Sequence, residues 1–164
     1  MSAVRPHVLV IAGLDHSSGA GLMADIKTLE MHKVYGFGIC SALTRQNDKK
    51  FYDVEWFDAD KIIAQIGALS EKYSFDIVKI GLIHFNNTIT NIIDYLLKLN
   101  KDTKIIWDPV LEASSGFVFH KTLTYELISK ITAKTYLITP NILEAKVLTN
   151  DAEHLNQALL CMVN

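Results

Sequence analysis

Proline and glycine are sparse, with three and eight in 164 residues, which excludes a collagen-like or Pro/Gly-rich low-complexity chain. Only two cysteines occur, Cys40 and Cys161, and neither has a partner at metal-ligand or redox spacing. Each sits in an apolar run and reads as a buried free thiol in a reducing compartment. Neither sign of charge is in excess: 16 Lys+Arg face 18 Asp+Glu, for a net charge of −2. The clustered basic surface of a nucleic-acid or anionic-membrane binder is therefore missing. Long apolar runs are missing too. The longest stretch free of Asp, Glu, Lys and Arg, residues 80–93, contains His84, Asn86, Asn87 and Asn91, and falls short of the ~18 apolar residues of a membrane span. Behind Arg5, Val8-Leu9-Val10-Ile11-Ala12 is too short for the apolar segment of a secretory signal. A cytoplasmic setting is the expectation, with neither nucleic acid nor membrane as partner.

What the sequence does contain is core-forming material, 49% hydrophobic over a length suited to one domain. Short β-branched runs at residues 8–12, 77–81, 105–107 and 136–138 predict buried strands. Amphipathic patterns lie between them. The clearest follows Asn86-Asn87, with Ile89, Ile92, Ile93, Leu96 and Leu97 on one helical face. Another begins after Asp58 and turns Ile62, Ile63, Ile66 and Leu69 inward; further helices are expected over residues 22–32 and 123–131. Residues 35–44 and 51–56 read as additional strands, the second alternating Tyr52, Val54 and Trp56 with Asp53 and Glu55, as an edge strand would. Near-continuous apolar strands alternating with such helices predict an α/β fold, a largely parallel sheet covered on both faces.

Ligands of open α/β sheets bind outside the carboxyl ends of the strands. Those ends lead here into Gly13-Leu14-Asp15-His16-Ser17-Ser18-Gly19-Ala20-Gly21, into Gly81, into Asp108-Pro109 and into Thr139-Pro140-Asn141. The first loop suits close approach of a ligand, or simply a tight turn; it has neither the Walker A nor the dinucleotide glycine spacing. Asp108 reads as a turn cap or as a carboxylate facing a cation. Asn141 and Glu144 lie one helical turn apart, and Glu144 could merely complement the helix dipole. Asp25 either faces the same crevice or is an ordinary acidic residue of the first helical turns, and Gln46 is read as just beyond a strand, in a loop. His16, His84 and His120 lack metal-ligand spacing and read as surface or loop residues, while Ser17 and Ser18 lack the context of a nucleophile elbow.

Taken in order, these segments resemble one family. Ile11 through Gly21, Ala24-Asp25-Ile26-Lys27-Thr28, Ser41-Ala42-Leu43-Thr44-Arg45-Gln46-Asn47, Val78-Lys79-Ile80-Gly81-Leu82, Trp107-Asp108-Pro109-Val110-Leu111 with Ser115-Gly116, and Leu137-Ile138-Thr139-Pro140-Asn141 with Glu144 resemble the hydroxymethylpyrimidine/phosphomethylpyrimidine kinases of thiamine biosynthesis. These are members of the ribokinase-like superfamily. The resemblance implies a three-layer α/β/α fold and ATP-dependent phosphorylation of 4-amino-5-hydroxymethyl-2-methylpyrimidine and its monophosphate, with Mg²⁺. It places Gly13, Asp25 and Gln46 in the pyrimidine pocket, where a carboxylate and an amide can read ring nitrogens and an exocyclic amine, with Leu82 and Val110 as apolar walls. Asp108 and Glu144 match acidic positions associated with Mg²⁺, and Asn141 lies beside the nucleotide phosphates. A homodimer is a further expectation, with Tyr52, Val54 and Trp56 as contact or core residues.

This sequence departs from the family pattern in places. His16 replaces a proline and Ser18 a glycine in the first loop, and Ser114 stands where a lysine is common. No glycine follows Gly116, so the Gly-[Thr/Ser]-Gly-Cys loop that stabilises the transferring phosphoryl group has no counterpart, and no catalytic residue is assigned within 1–164. Residues 151–163 place Leu155, Leu159 and Met162 in helical register, an apolar stripe that wants a further strand beneath it. The expectation is a single but incomplete kinase domain ending at Asn164. A non-catalytic pyrimidine-binding homologue and a pyridoxine/pyridoxal kinase are the alternatives.

Overall fold

The computed structural model describes residues 5–149, apart from 48, 114, 121 and 122. Ser114, Cys161 and the apolar stripe expected at 151–163 lie outside the described residues. The elements run β1 (His7–Leu14), α1 (Gly21–Met31), β2 (Tyr35–Gln46), β3 (Phe51–Trp56), α2 (Ala59–Ser70), β4 (Ile77–Ile80), α3 (Asn87–Leu99), β5 (Lys104–Trp107), α4 (Tyr125–Thr132), β6 (Leu137–Ile138) and α5 (Ile142–Thr149). The six-stranded sheet has the order β3-β2-β1-β4-β5-β6. Every neighbouring pair is parallel except β2 with β3. The expected α/β class and the edge position of β3 both hold.

The β1 strand shows how the layers form. Leu9 and Ile11 point into the larger core with Ile62, Ile66, Ile89, Ile92, Ile93, Ile105 and Trp107; Val8, Val10 and Ala12 point the other way, against Leu22, Ile26 and Leu29 of α1. One face is thus covered by α1 and the other by α2, α3 and α4. Full burial of a Leu or Ile side chain contributes about 1.5–3 kcal/mol, and both faces of β1 gain it, which is why no polar alternation marks this strand.

Helix starts follow local chemistry. Asp58 Oδ1 accepts from Lys61 N at 2.8 Å and Asn86 Oδ1 from Thr88 N at 2.7 Å, as the sequence predicts for N-caps. The helix expected from residue 123 begins instead at Tyr125, because Thr124 caps it through Leu127 N. Gln46, expected beyond the strand, is the last residue of β2, which continues into a hairpin with β3.

From β1 the chain winds outward in two directions, to β2 and β3 on one side and to β4, β5 and β6 on the other. Between β1 and β4 lies the switch point, and the crevice at their carboxyl ends is where such sheets take ligands.

Candidate functional site at the switch point

A cleft of about 660 Å³ opens there, within the usual range for small-molecule sites. Gly13, Asp25, Gln46, Leu82, Asp108 and Val110, six of the residues picked out from the sequence, line it together. Asn141 and Glu144 do not line it, although Glu144 acts electrostatically on Asp108 from beside it.

The loop after β1 is organised by Asp15. This buried carboxylate accepts hydrogen bonds from Ser17 N at 2.9 Å, from Ser17 Oγ at 2.8 Å and from Ala20 N at 3.1 Å. It thereby folds the loop over the cleft mouth, a role the sequence reading missed although Asx-type turns favour Asp at such positions. Gly21 has φ +60°, and a Cβ there would stand 2.3 Å from Gly13 O, so the loop closes onto β1 only with glycine at this point. Ser18, where the family pattern has glycine, also takes a left-handed φ of 60°, a conformation that costs an L-residue roughly 1–2 kcal/mol. His16 is exposed, with Nδ1 3.1 Å from Thr44 O.

On the β2 side, Thr44 Oγ1 donates to Leu14 O at 2.8 Å and accepts from Gln46 Nε2 at 3.1 Å. A register shift between Arg45 and Gln46 re-aims the end of the strand, a common use of bulges beside sites. Buried Ser41 donates to Leu82 O, tying the segment after β4 to β2. A Cβ on Gly13 would meet Leu82 Cδ2 at 2.7 Å, so glycine there lets Leu82 lie against the backbone as a wall.

The centre of the site is a charge cluster. Lys79 Nζ donates to Asp25 Oδ1 at 2.8 Å and Oδ2 at 2.7 Å, and lies 3.0 Å from Asp108 Oδ2. Burial works against the Lys79 charge, but the hydrogen bond to Asp25 and the charges of Asp108 and Asp25 outweigh it, and its pKa is raised. No role fell to Lys79 in the sequence reading. The signal was present: a lone lysine in the apolar strand Ile77-Val78-Lys79-Ile80 demands a charged partner once the strand is buried.

Asn141 and Glu144 form a capping box for α5. Asn141 Oδ1 accepts from Leu143 N and Glu144 N at 2.9 and 3.0 Å, and Glu144 Oε2 accepts from Asn141 N at 2.8 Å. The pair thus has a local structural role that goes beyond complementing the helix dipole. Glu144 is also buried, and burial, with the Asp108 charge adding to it, raises its carboxyl above the ordinary range despite the N–H donors of Asn141 and Leu111.

His84 and His120 lie in loops, one of the two places expected for them, but are half-buried rather than on the open surface. His120 stacks on Phe85 at 4.1 Å between ring centroids, His84 stacks on Trp56 at 5.1 Å, and the two histidines stand 6.2 Å apart. Burial first, and then the neighbouring His84, push the His120 pKa from 6.5 down to about 4. Below pH 6.5 the unfolded chain binds a proton that the folded chain refuses, so this stabilisation is full above pH 6.5 and is lost as pH falls toward 4. We expect native stability to drop by about 2 kcal/mol more than that of His120→Phe between pH 7.5 and 4.5, read from urea midpoints. Parallel losses in the two proteins would refute it.

Among the described residues no group of three or more His, Cys, Asp and Glu side chains is placed to hold a metal ion, and no helix is long and apolar enough to cross a membrane. The half-buried Cys40 thiol donates to Ala42 O at 3.3 Å, and burial raises its pKa.

Comparison with known proteins fits this geometry. Residues 15–162 match the family described as phosphomethylpyrimidine kinase. A hydroxymethylpyrimidine/phosphomethylpyrimidine kinase of Aquifex aeolicus is 35% identical over 144 residues, covering 87% of this chain and 56% of the relative. One from Rhizobium meliloti is 34% identical over 145 residues, covering 88% and 54%. The chain thus spans about half the length of these curated relatives. The crystal structure of a phosphomethylpyrimidine kinase from Clostridium difficile superposes with a TM-score of 0.81 at 31% identity, covering 97% of this chain and 72% of that one. A Staphylococcus aureus pyridoxal kinase in complex with AMP-PCP shares the fold, with a TM-score of 0.77 at 22% identity over 98% of this chain and 61% of the other.

Proposed function

Because the chain belongs to the phosphomethylpyrimidine kinase family, we propose that it serves the ATP-dependent phosphorylation of 4-amino-5-hydroxymethyl-2-methylpyrimidine and its monophosphate, in the cytoplasm. The observation that carries the reading is the meeting of Asp25 and Gln46 in one cleft with the apolar Leu82 and Val110. A carboxylate accepts from an exocyclic amine, and a side-chain amide both donates to and accepts from ring nitrogens and their substituents. Apolar walls then clamp the flat ring between the first loop and the segment after β5.

The donor chemistry of Asp108 in the cleft and Glu144 beside it suits Mg²⁺. Asp108 and Glu144 offer the hard carboxylate oxygens that such an ion prefers. Mg²⁺ is usually held by one or two carboxylates with phosphate oxygens and retained water, so two protein ligands suffice. When bound, the ion would neutralise charge on the nucleotide phosphates. Asn141, exposed at the start of α5, stands beside those phosphates in this reading. The exposed edge of β3, with Tyr52, is the surface we assign to a homodimer contact.

Calorimetric titration with hydroxymethylpyrimidine, with pyridoxal as competitor, tests the assignment. Saturable binding of the pyrimidine at least about tenfold tighter than of pyridoxal is expected, a difference of about 1.4 kcal/mol. Preference for pyridoxal would move the chain to the alternative substrate. An ADP-release assay on the same samples separates a kinase from a pyrimidine-binding homologue without turnover.

A further inference from the structure

Lys79 is the only charged residue of β4, a strand hydrogen-bonded on both sides, with Val10 of β1 and Ile106 of β5 as its register partners. Such a position ordinarily takes an apolar side chain, and a cation persists there only when its partners compensate for lost water. Here the partners come from two distant elements, Asp25 from the middle of α1 and Asp108 from the end of β5. Three carboxylate oxygens surround the ammonium, at 2.7, 2.8 and 3.0 Å, as many as it has N–H donors.

Glu144 acts electrostatically on Asp108 from beside the cleft, so more negative charge lies near Lys79 than one ammonium balances. A divalent cation entering such a cluster has two places to go, the gap between Asp25 and Asp108 or the gap between Asp108 and Glu144. The first is the stronger attractor for a hard cation if open, because two carboxylates converge there on one point.

We infer that Lys79 is a resident cation that fills the gap between Asp25 and Asp108, holding Asp25 in place for the pyrimidine and confining a divalent ion to the Asp108–Glu144 side. Lys79 is thus a positioning residue that acts through its two carboxylates. The identity of the ligand rests on the pyrimidine-kinase reading above; the ion bridge itself does not.

The test uses the full 164-residue chain, native and Lys79→Met, without nucleotide, titrated separately with Mn²⁺ and with hydroxymethylpyrimidine. Removing the ammonium leaves two converging carboxylates without a cation, so K79M is expected to bind Mn²⁺ about tenfold more tightly than the native chain and the pyrimidine at least about tenfold more weakly. A residue that merely supports the fold would lower both affinities, which makes the gain in Mn²⁺ binding the decisive readout. Equal Mn²⁺ affinities, or native pyrimidine affinity in K79M, would overturn the inference. Should K79M fail to fold, Lys79→Gln provides the same comparison by thermal denaturation: a larger Mn²⁺-induced rise in Tm than the native chain shows is expected, and an equal or smaller rise overturns the inference. Absence of pyrimidine binding by the native chain would defeat the substrate assignment alone, because the Mn²⁺ comparison does not involve that ligand.

Discussion

Asp25→Ala is expected to weaken hydroxymethylpyrimidine binding by about 100-fold or more, measured calorimetrically on the full chain. Two losses combine in that number. The variant lacks the charged acceptor for the exocyclic amine, and a hydrogen bond to a charged group contributes about 1.5–3 kcal/mol. It also strips two of the three carboxylate oxygens from Lys79 Nζ, leaving a cation with 26% side-chain exposure attached to Asp108 alone. A partly buried charge that loses its partner draws its neighbours toward itself, so the pocket wall is expected to shift as well. Asp25→Asn keeps the shape and one acceptor oxygen but not the charge, and should fall between the native protein and the alanine variant. Native affinity in Asp25→Ala would remove the carboxylate from the pyrimidine site and with it the main support for the substrate assignment.

Gly21→Ala carries the largest expected structural effect. Its φ of +60° alone costs an alanine roughly 1–2 kcal/mol, and the new Cβ would collide with Gly13 O at 2.3 Å, a backbone atom held in β1. Relief requires α1 to move away from the strand, breaking contacts of Leu22 with Val8, Val10 and Ala12. A loss of about 3 kcal/mol in unfolding free energy is expected, seen as a lower urea midpoint. Hydroxymethylpyrimidine binding should fall with it, since the displaced helix carries Asp25. Gly19→Ala is the control: its Cβ would meet Ser17 Oγ at 3.5 Å and Asp15 Oδ2 at 3.9 Å, ordinary contacts, and an equal loss there would show that the Gly21 collision is not the cause.

Most of the fold is legible in the sequence because burial on both faces leaves a direct imprint. The β1 strand reads as an unbroken apolar run from Val8 to Ala12, β4 and β5 are apolar apart from Lys79 and Lys104, and α3 repeats isoleucine and leucine along one face after Asn86-Asn87, of which Asn86 is the cap. Boundaries fail where a single hydrogen bond decides them. Thr124 rather than Leu123 opens α4, and Gln46 belongs to β2 because pairing with β3 extends it.

In the site, residue types were legible and contacts were not. Gly13, Asp25, Gln46, Leu82, Asp108 and Val110 could be chosen one by one from the strand ends and from family resemblance, and they do line one cleft. The Asn141–Glu144 pair was legible as two residues one helical turn apart, but its reciprocal capping bonds were not assigned from the sequence. His120 was legible as a loop residue but its stack was not, because its environment is assembled from remote segments, Phe85 after β4 and Trp56 at the end of β3, and no spacing along the chain encodes that stack.

The sequence by itself determined the α/β class, the apolar faces, the helix caps at Asp58 and Asn86 and the cluster of small and acidic residues at the strand ends, because each of these depends on neighbours within a few positions. Only the tertiary structure decided which carboxylates share a cation. Asp25 and Lys79 are 54 residues apart in the chain, and they meet because β4 lies beside β1 while α1 folds back over their common face. Electrostatic pairing depends on distance in space and on exclusion of water, and both are fixed by the winding of the sheet.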